Sequence, residues 1–357
     1  MEELKAIINK SVSKGMKVAT AAKIAGMSKS SYYYKHRQGK PGRKPTTHCQ
    51  KDDGSVVTNQ QVVDEIRAVI GQEFMENGYR KVMHELRDRN YIIGKNKTYR
   101  LMRHHKLLLP KPSKSKRDFV RYTQPLPSEP FEKLEMDIKY IYIKGEKRYA
   151  YLLTVLDTFT RIALGWVLQY SIINTSVKKL IKQVIDVWLQ DYRPPIEDRV
   201  TVTIRCDNDC RFVAQKLKLF LKENFIQQEF ILPATPQQNA HIESFHSVVE
   251  QLICKKYEFE NIENARTVFT RFYSTYNNIR TISSILYLPP TVFLKEWKNG
   301  NIGMSFIKRN RRILQKFFFR GQRPKWHSVS PEELYLFGHN KNTSENNNFV
   351  KPSLIES

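Results

Sequence analysis

Leu134-Glu135-Met136-Asp137-Ile138-Lys139-Tyr140-Ile141-Tyr142-Ile143 places apolar side chains at 134, 136, 138 and again at 142. This period-two pattern is that of a half-buried strand, and it carries an aspartate, Asp137, in its middle. Two further carboxylates stand in contexts that also present them. Asp207 follows the β-branched run Val200-Thr201-Val202-Thr203-Ile204 and precedes Asn208, Asp209, Arg211 and Phe212, so it lies where a strand hands over to a loop. Glu243 lies in Thr235-Pro236-Gln237-Gln238-Asn239-Ala240-His241-Ile242-Glu243-Ser244-Phe245-His246, a capped turn opening a helix that runs to about Lys256. With 35 acidic residues in 357, spacing alone produces chance pairs, so these contexts decide the reading. Three elements distant in sequence can bring Asp137, Asp207 and Glu243 together, and three such carboxylates can hold two magnesium ions.

On these residues the chain resembles bacterial insertion-sequence transposases of the OrfA/OrfB type, with a retroviral-integrase-like D,D(35)E catalytic core. Thirty-five residues lie between Asp207 and Glu243. The resemblance extends over roughly residues 60 to 297. It includes the hairpin stretch from Tyr151 through Asp157 to Arg161, and a closing segment with Tyr276, Asn277, Asn278, Arg280, Ser283, Ser284, Tyr287 and Pro290. Four positions depart from it. Asp209 and Cys210 stand where Gly and Ser are usual, Ile282 where His is usual, and Glu250 where many members carry Lys or Arg. Asp tolerates a left-handed backbone, which could accommodate Asp209. A carboxylate at 250 would repel a DNA end unless Lys255, Lys256 or another cation compensates.

The fold expected is α/β: a ribonuclease-H-like mixed-sheet catalytic core preceded by all-α helix-turn-helix modules. Strands are expected at 134–144, 147–157, 160–168, 200–205 and 227–231, and helices at 175–191, 211–224, 239–256 and 262–278. Three strands followed by alternating helices and strands give a mixed sheet with helices on both faces.

Composition narrows the partner. Lys and Arg number 60 against 35 Asp and Glu, a net charge of +25 with a pI near 9.8, which calls for a polyanion. No apolar run of membrane-spanning length and no signal-peptide stretch occurs, so a cytosolic, nucleoid-associated protein with no membrane partner is expected. The four cysteines, Cys49, Cys206, Cys210 and Cys254, have no paired CxxC spacing. Cys206 and Cys210 flank Asp207, but they read as small apolar fillers rather than metal ligands.

The charge is uneven, with 27 basic against 11 acidic residues in positions 1–125, so that third should meet DNA first. Residues 1–38 read as a helix-turn-helix: Val18–Ala25, a turn at Gly26, and a helix capped by Ser28 that presents Lys29, Ser30 and Tyr33 to a groove. An ordinary helical hairpin has the same pattern. Residues 39–60 read as a basic linker and 61–106 as a second helix-turn-helix module, with Lys95, Lys97, Arg100 and Arg103 as DNA contacts rather than a merely solvated face. Residues 107–130, with five prolines, read as a basic tether whose Lys114, Lys116 and Arg117 touch DNA and whose flexibility lets reader and catalyst grip different stretches of one DNA end. The core spans 131–297, a basic segment 298–337, and an Asn-rich disordered tail 338–357.

The resemblance implies that Asp137, Asp207 and Glu243 are the catalytic and metal-binding residues. Asp137 would bridge two Mg²⁺ ions, for which Mn²⁺ can substitute, while Asp207 and Glu243 take one each. Asn208 and Asn239 would shape the loop and place the phosphate, and Ser247 would touch DNA. Asp157 and Arg161 read as a local turn pair, and His241 and His246 as DNA-facing or solvated. The expected activity is that of a DNA transposase acting as a homo-multimer on the element's terminal inverted repeats and on target DNA. A catalytically weakened, sequence-specific DNA-binding descendant is the alternative, motivated by Asp209, Glu250 and Ile282. A ribonuclease-H-like nuclease acting on RNA–DNA hybrids would have no need of two sequence readers.

Overall fold

The computed structural model describes residues 2–34, 45–110, 126–190, 202–232, 236–309 and 312–326. Lys114, Lys116, Arg117 and the tail 338–357 lie outside them. Two compact units divide the chain near residue 47.

In the first unit, helices α1 (Glu2–Ser13), α2 (Val18–Ile24) and α3 (Lys29–Tyr33) enclose Ile8, Ala21, Ala22 and Met27. Gly26 makes the turn with φ +68°, a conformation that costs glycine little. Ser28 caps α3 by accepting the Ser31 amide at 3.0 Å.

The second unit begins with strands where the sequence suggested only linker: β1 (His48–Lys51) and β2 (Val56–Thr58) form an antiparallel hairpin. Cys49, buried between them and the helices, supplies the apolar anchor that a polar stretch conceals. Next come α4 (Asn59–Ile70), α5 (Tyr79–Asp88), β3 (Tyr91–Ile92), which pairs with β1, and α6 (Lys95–His104). Val62, Val63, Ile66, Val82, Leu86, Leu101 and Met102 form their core.

The large sheet contains β4 (Lys133–Ile143), β5 (Arg148–Asp157), β6 (Ala163–Gln169), β7 (Val202–Cys206) and β8 (Ile226–Phe230) in the order β6-β5-β4-β7-β8. β4, β5 and β6 are antiparallel neighbours, whereas β4–β7 and β7–β8 are parallel. This is the ribonuclease-H-like mixed sheet that the element order predicted. One face carries Met136, Leu153, Val155 and Ile204 against α7 (Asn174–Val184), α8 (Cys210–Val213) and α9 (Gln215–Glu223). Gly165 lets α7 lie close, since a Cβ there would stand 2.9 Å from Leu180 Cδ1. The other face carries Ile141, Leu152 and Leu156 against α10 (Ala240–Val249) and α11 (Ile262–Asn278), with Phe245, Phe269 and Phe272 fully enclosed. Each such aromatic is worth roughly 1.5–3 kcal/mol of transfer free energy. Finally α12 (Pro290–Lys298) and the hairpin β9 (Ile302–Arg309) and β10 (Arg312–Phe319) share a core of Phe159, Phe293, Phe317 and Trp326.

The helical module is not held loosely. Phe74, between α4 and α5, belongs to the core cluster of α10 and α11, and its carbonyl accepts from Arg280 Nη1 at 2.7 Å. Glu73 pairs with Arg271 at 3.0 Å, and Glu76 with Lys256 at 2.5 Å. Asp88, at the end of α5, accepts two bonds from Arg323 and one from Trp326 Nε1. Most of the expected tether, residues 111–125, lies outside the described residues. One apolar anchor and a set of opposite charges, spread over 250 positions, are what a local reading could not pair.

Candidate active site

Two strands supply the acidic pair. In the parallel β4–β7 register Leu134 faces Ile204 and Glu135 faces Arg205; two residues beyond that last pair lie Asp137 and Asp207. Side chains two apart share a face, so the sheet delivers both carboxylates to the α10 side. Asp137 is a quarter exposed; its Oδ1 accepts the Ile138 amide at 2.8 Å and its Oδ2 lies 3.4 Å from His246 Nδ1 on α10. Asp207 Oδ1 accepts the Asp209 amide at 3.1 Å. Burial raises the Asp207 carboxyl above its ordinary range, and the negative charges of Asp137 and Asp209 add to that, against the lowering by the amide. Glu243 is exposed in the first turn of α10. Among the described residues no three His, Cys, Asp or Glu side chains stand close enough together to hold a metal ion. The structure thus brings Asp137 and Asp207 together, with Glu243 in the first turn of α10. The donor set itself, carboxylate oxygens carrying like charges that a cation would relieve, fits a hard divalent ion such as magnesium.

Three of the departures have local roles. Glu250 pairs with Lys139 of β4 at 2.9 Å, and that ammonium holds its carboxyl below the usual range, so its charge is met within the chain. Asp209 has φ −60°, so no left-handed conformation is needed; it caps α8 by accepting the Arg211 amide and grips the Arg211 guanidinium through both oxygens. Ile282 bridges to Leu288 and packs between two core clusters.

Other expected residues divide between framework and surface. Asn208 Nδ2 donates to the Ile231 carbonyl at 2.8 Å, tying the Asp207 loop to the end of β8. Asn239 is buried, with no hydrogen-bond partner for its Oδ1. Ser247 Oγ turns back onto the Glu243 carbonyl at 2.9 Å. Lys29, Ser30, Tyr33, Lys95 and Arg103 are exposed and Arg100 is half-buried, whereas the Lys97 ammonium is tied to the His48 carbonyl. Both histidines of α10 are half-buried. His246 is 12% exposed beside Asp137, and burial pushes His241 down to about 3, with the Arg161 and Arg205 charges adding. Cys206 is a buried filler, but Cys210 is exposed at the start of α8.

Asp157 organises its turn more strongly than a local pair would: fully buried, it accepts from the amides of Phe131, Phe159 and Thr160 and from Thr160 Oγ1. Sequence reading missed Glu135 and Arg205, which are fully enclosed below the acidic pair. Arg205 Nη1 donates to the Gln238 carbonyl at 2.6 Å, and Nη2 to Glu229 at 3.1 Å. Burial pushes Glu135 up to about 7, while the Ile242 amide and the Arg161 and Arg205 charges pull it down. The available signal was positional: each lies two residues before an aspartate already singled out.

A mixed sheet of this order, with an acidic pair over its central strands, is the ribonuclease-H-like arrangement, and stretches of the chain match known family models. Residues 127–236 and 224–290 match integrase core domain models, and residues 58–115 match an HTH-like domain. The relatives are insertion-element proteins. The chain is 26% identical over 230 residues to an uncharacterized 39.2 kDa protein of insertion element IS476 from Xanthomonas euvesicatoria, covering 64% of this chain and 63% of that protein. It is 25% identical over 275 residues to an uncharacterized 31.7 kDa protein of IS407 from Burkholderia multivorans, covering 76% and 88%. Among solved structures, it is similar to the HTLV-2 integrase catalytic core domain in complex with magnesium (14% identity, TM-score 0.31, 43% of this chain and 91% of that one). It is also similar to the BIV integrase catalytic core domain (15%, TM-score 0.32, 48% and 97%). The chain therefore carries regions similar to an integrase core and to an HTH-like domain, and its relatives are insertion-element proteins. No helix among the described residues is long and apolar enough to cross a membrane.

Proposed function

We propose that the protein is a DNA transposase that cuts the ends of its own insertion element and joins the freed 3′ hydroxyl to target DNA, acting as a homo-multimer because two ends must be processed together. The observation that carries this reading is the convergence of Asp137 and Asp207 from adjacent parallel strands, with Glu243 on the helix packed across them. Asp137, Asp207 and Glu243 would hold the divalent metal. When bound, two such ions activate the attacking oxygen and stabilise the leaving 3′ oxygen. The chain's own part is to aim these carboxylates, to hold the Asp207 loop through Asn208, and to bring DNA by its basic excess. Lys29, Ser30, Tyr33, Lys95, Arg100 and Arg103 are the proposed DNA contacts, with Lys114, Lys116, Arg117 and Ser247 adding to them. The Lys139–Glu250 pair and the Asp209 cap account for two of the three departures that motivate the weakened-descendant reading, which favours the active enzyme.

The test is incubation of the purified protein with a labelled duplex carrying the element's own end, with Mg²⁺, beside Asp207→Asn and Glu243→Gln. Cleaved and joined products that vanish in both variants are expected. Salt-sensitive binding without product in the unsubstituted protein would return the weight to a DNA-binding descendant.

A further inference from the structure

Helix α10 lacks a cap of its own. Its N-cap residue, Asn239, has φ −105° and ψ 35°, makes no side-chain capping bond, and among the described residues its buried Oδ1 has no hydrogen-bond partner. The first-turn amides of a helix need acceptors, and burying them without one is costly. Here the acceptor comes from the sheet: Glu135 Oε2 takes the Ile242 amide at 2.8 Å, with the His241 amide alongside. A carboxylate at a helix N-terminus also meets the positive end of the helix dipole. The segment just ahead is held from the neighbouring strand, where Arg205 Nη1 donates to the Gln238 carbonyl, and the Gln238 side chain accepts the Leu232 amide at 2.7 Å.

These two anchors are register partners in the β4–β7 ladder, and each lies two residues before one of the paired aspartates. The sheet thus uses one pair of opposed residues to hold the start of α10 and the same-face positions two residues on to present Asp137 and Asp207. Glu243 is the residue immediately after the amide that Glu135 holds. We infer that Glu135 and Arg205 are positioning residues that key the start of α10 to the two aspartate strands, so that Glu243 is delivered to the acidic pair at a fixed height. This inference rests on the transposase reading for its catalytic consequence, but not for the anchoring itself.

The test has two readouts on the full-length protein. In hydrogen–deuterium exchange, Glu135→Leu should speed exchange of the peptide covering residues 239–249 by about tenfold or more, the loss of a charge-assisted bond, while peptides of β5 and α7 stay unchanged. Glu135→Gln, which keeps an acceptor oxygen at the same reach, should exchange within about twofold of the unsubstituted chain. In the Mg²⁺-dependent end-cleavage assay, Glu135→Leu should lower the single-turnover rate at saturating DNA by about 100-fold, as misplacement of a reacting group does, with end affinity unchanged and Glu135→Gln restoring most of the rate. Should Glu135→Leu fail to fold, Arg205→Met puts the same exchange question from the other strand. A folded Glu135→Leu or Arg205→Met protein whose 239–249 peptide exchanges like the original overturns the anchoring, and normal cleavage by either overturns the positioning role. If the unsubstituted protein cuts no DNA, the transposase reading fails, while the exchange result still decides the anchoring.

Discussion

Two helices of this chain begin in opposite ways. α4 carries its cap in its own sequence: Thr58 Oγ1 accepts the Gln61 amide at 3.3 Å while Gln61 Oε1 accepts the Thr58 amide at 2.8 Å, a reciprocal box between residues three positions apart. α10 is capped by Glu135, 107 positions upstream. A helix that closes its own end can form wherever its module folds; a helix capped by a strand has its start set by that strand. The first arrangement stabilises a unit, and the second locates a side chain.

The largest effect expected from breaking this contrast is at Arg205. Arg205→Met leaves the Gln238 carbonyl and Glu229 short of their shared cation and should cost on the order of 4 kcal/mol in urea unfolding. Cost equal to that of a local cap would erase the distinction. Next is Asp88, another remote tie. Asp88→Asn weakens the bonds from Arg323 and Trp326 and should cost about 2 kcal/mol, read as a lower unfolding midpoint. Thr58→Ala should cost about 1 kcal/mol and leave end cleavage per folded molecule unchanged, which sharpens the contrast because a cap is lost and no reactive group moves. The smallest effect concerns His84, stacked on Tyr287 with ring centroids 3.9 Å apart. Burial, and then the Arg323 and Arg87 charges, push it down to about 4. The unfolded chain therefore binds a proton that the folded chain refuses between about pH 6.5 and 4, so stability should fall as pH drops through that window. His84→Phe should flatten that part of the urea-midpoint profile, and an unflattened profile would assign the dependence to other groups.

Most of the core was legible because its signals are periodic and local. The β4 alternation, the β-branched run before Asp207 and the Thr235–Asn239 turn each announce an element within a dozen residues, and β4 to β8, α7 and α11 form near the positions read from sequence. The linker reading of 39–60 failed because β1 and β2 are short and polar, and Cys49 alone supplies their buried anchor. The left-handed turn offered for Asp209 was unnecessary once Arg211 was available as a partner. In the candidate site the acidic residues could be read and their supports could not. The Glu135–Ile242 and Arg205–Gln238 bonds and the Lys139–Glu250 pair join positions 107, 33 and 111 apart, and no local pattern encodes such pairings.

The grip of Arg323 and Trp326 on Asp88 also sets an order of events during synthesis. A chain emerging from the ribosome exposes α5 some 235 residues before Arg323 arrives to meet it. Through that interval Asp88 lacks the cation and the indole that enclose it in the finished protein. The helical module gains this contact only after Arg323 and Trp326 have been made, so a copy that stops before them would lack it.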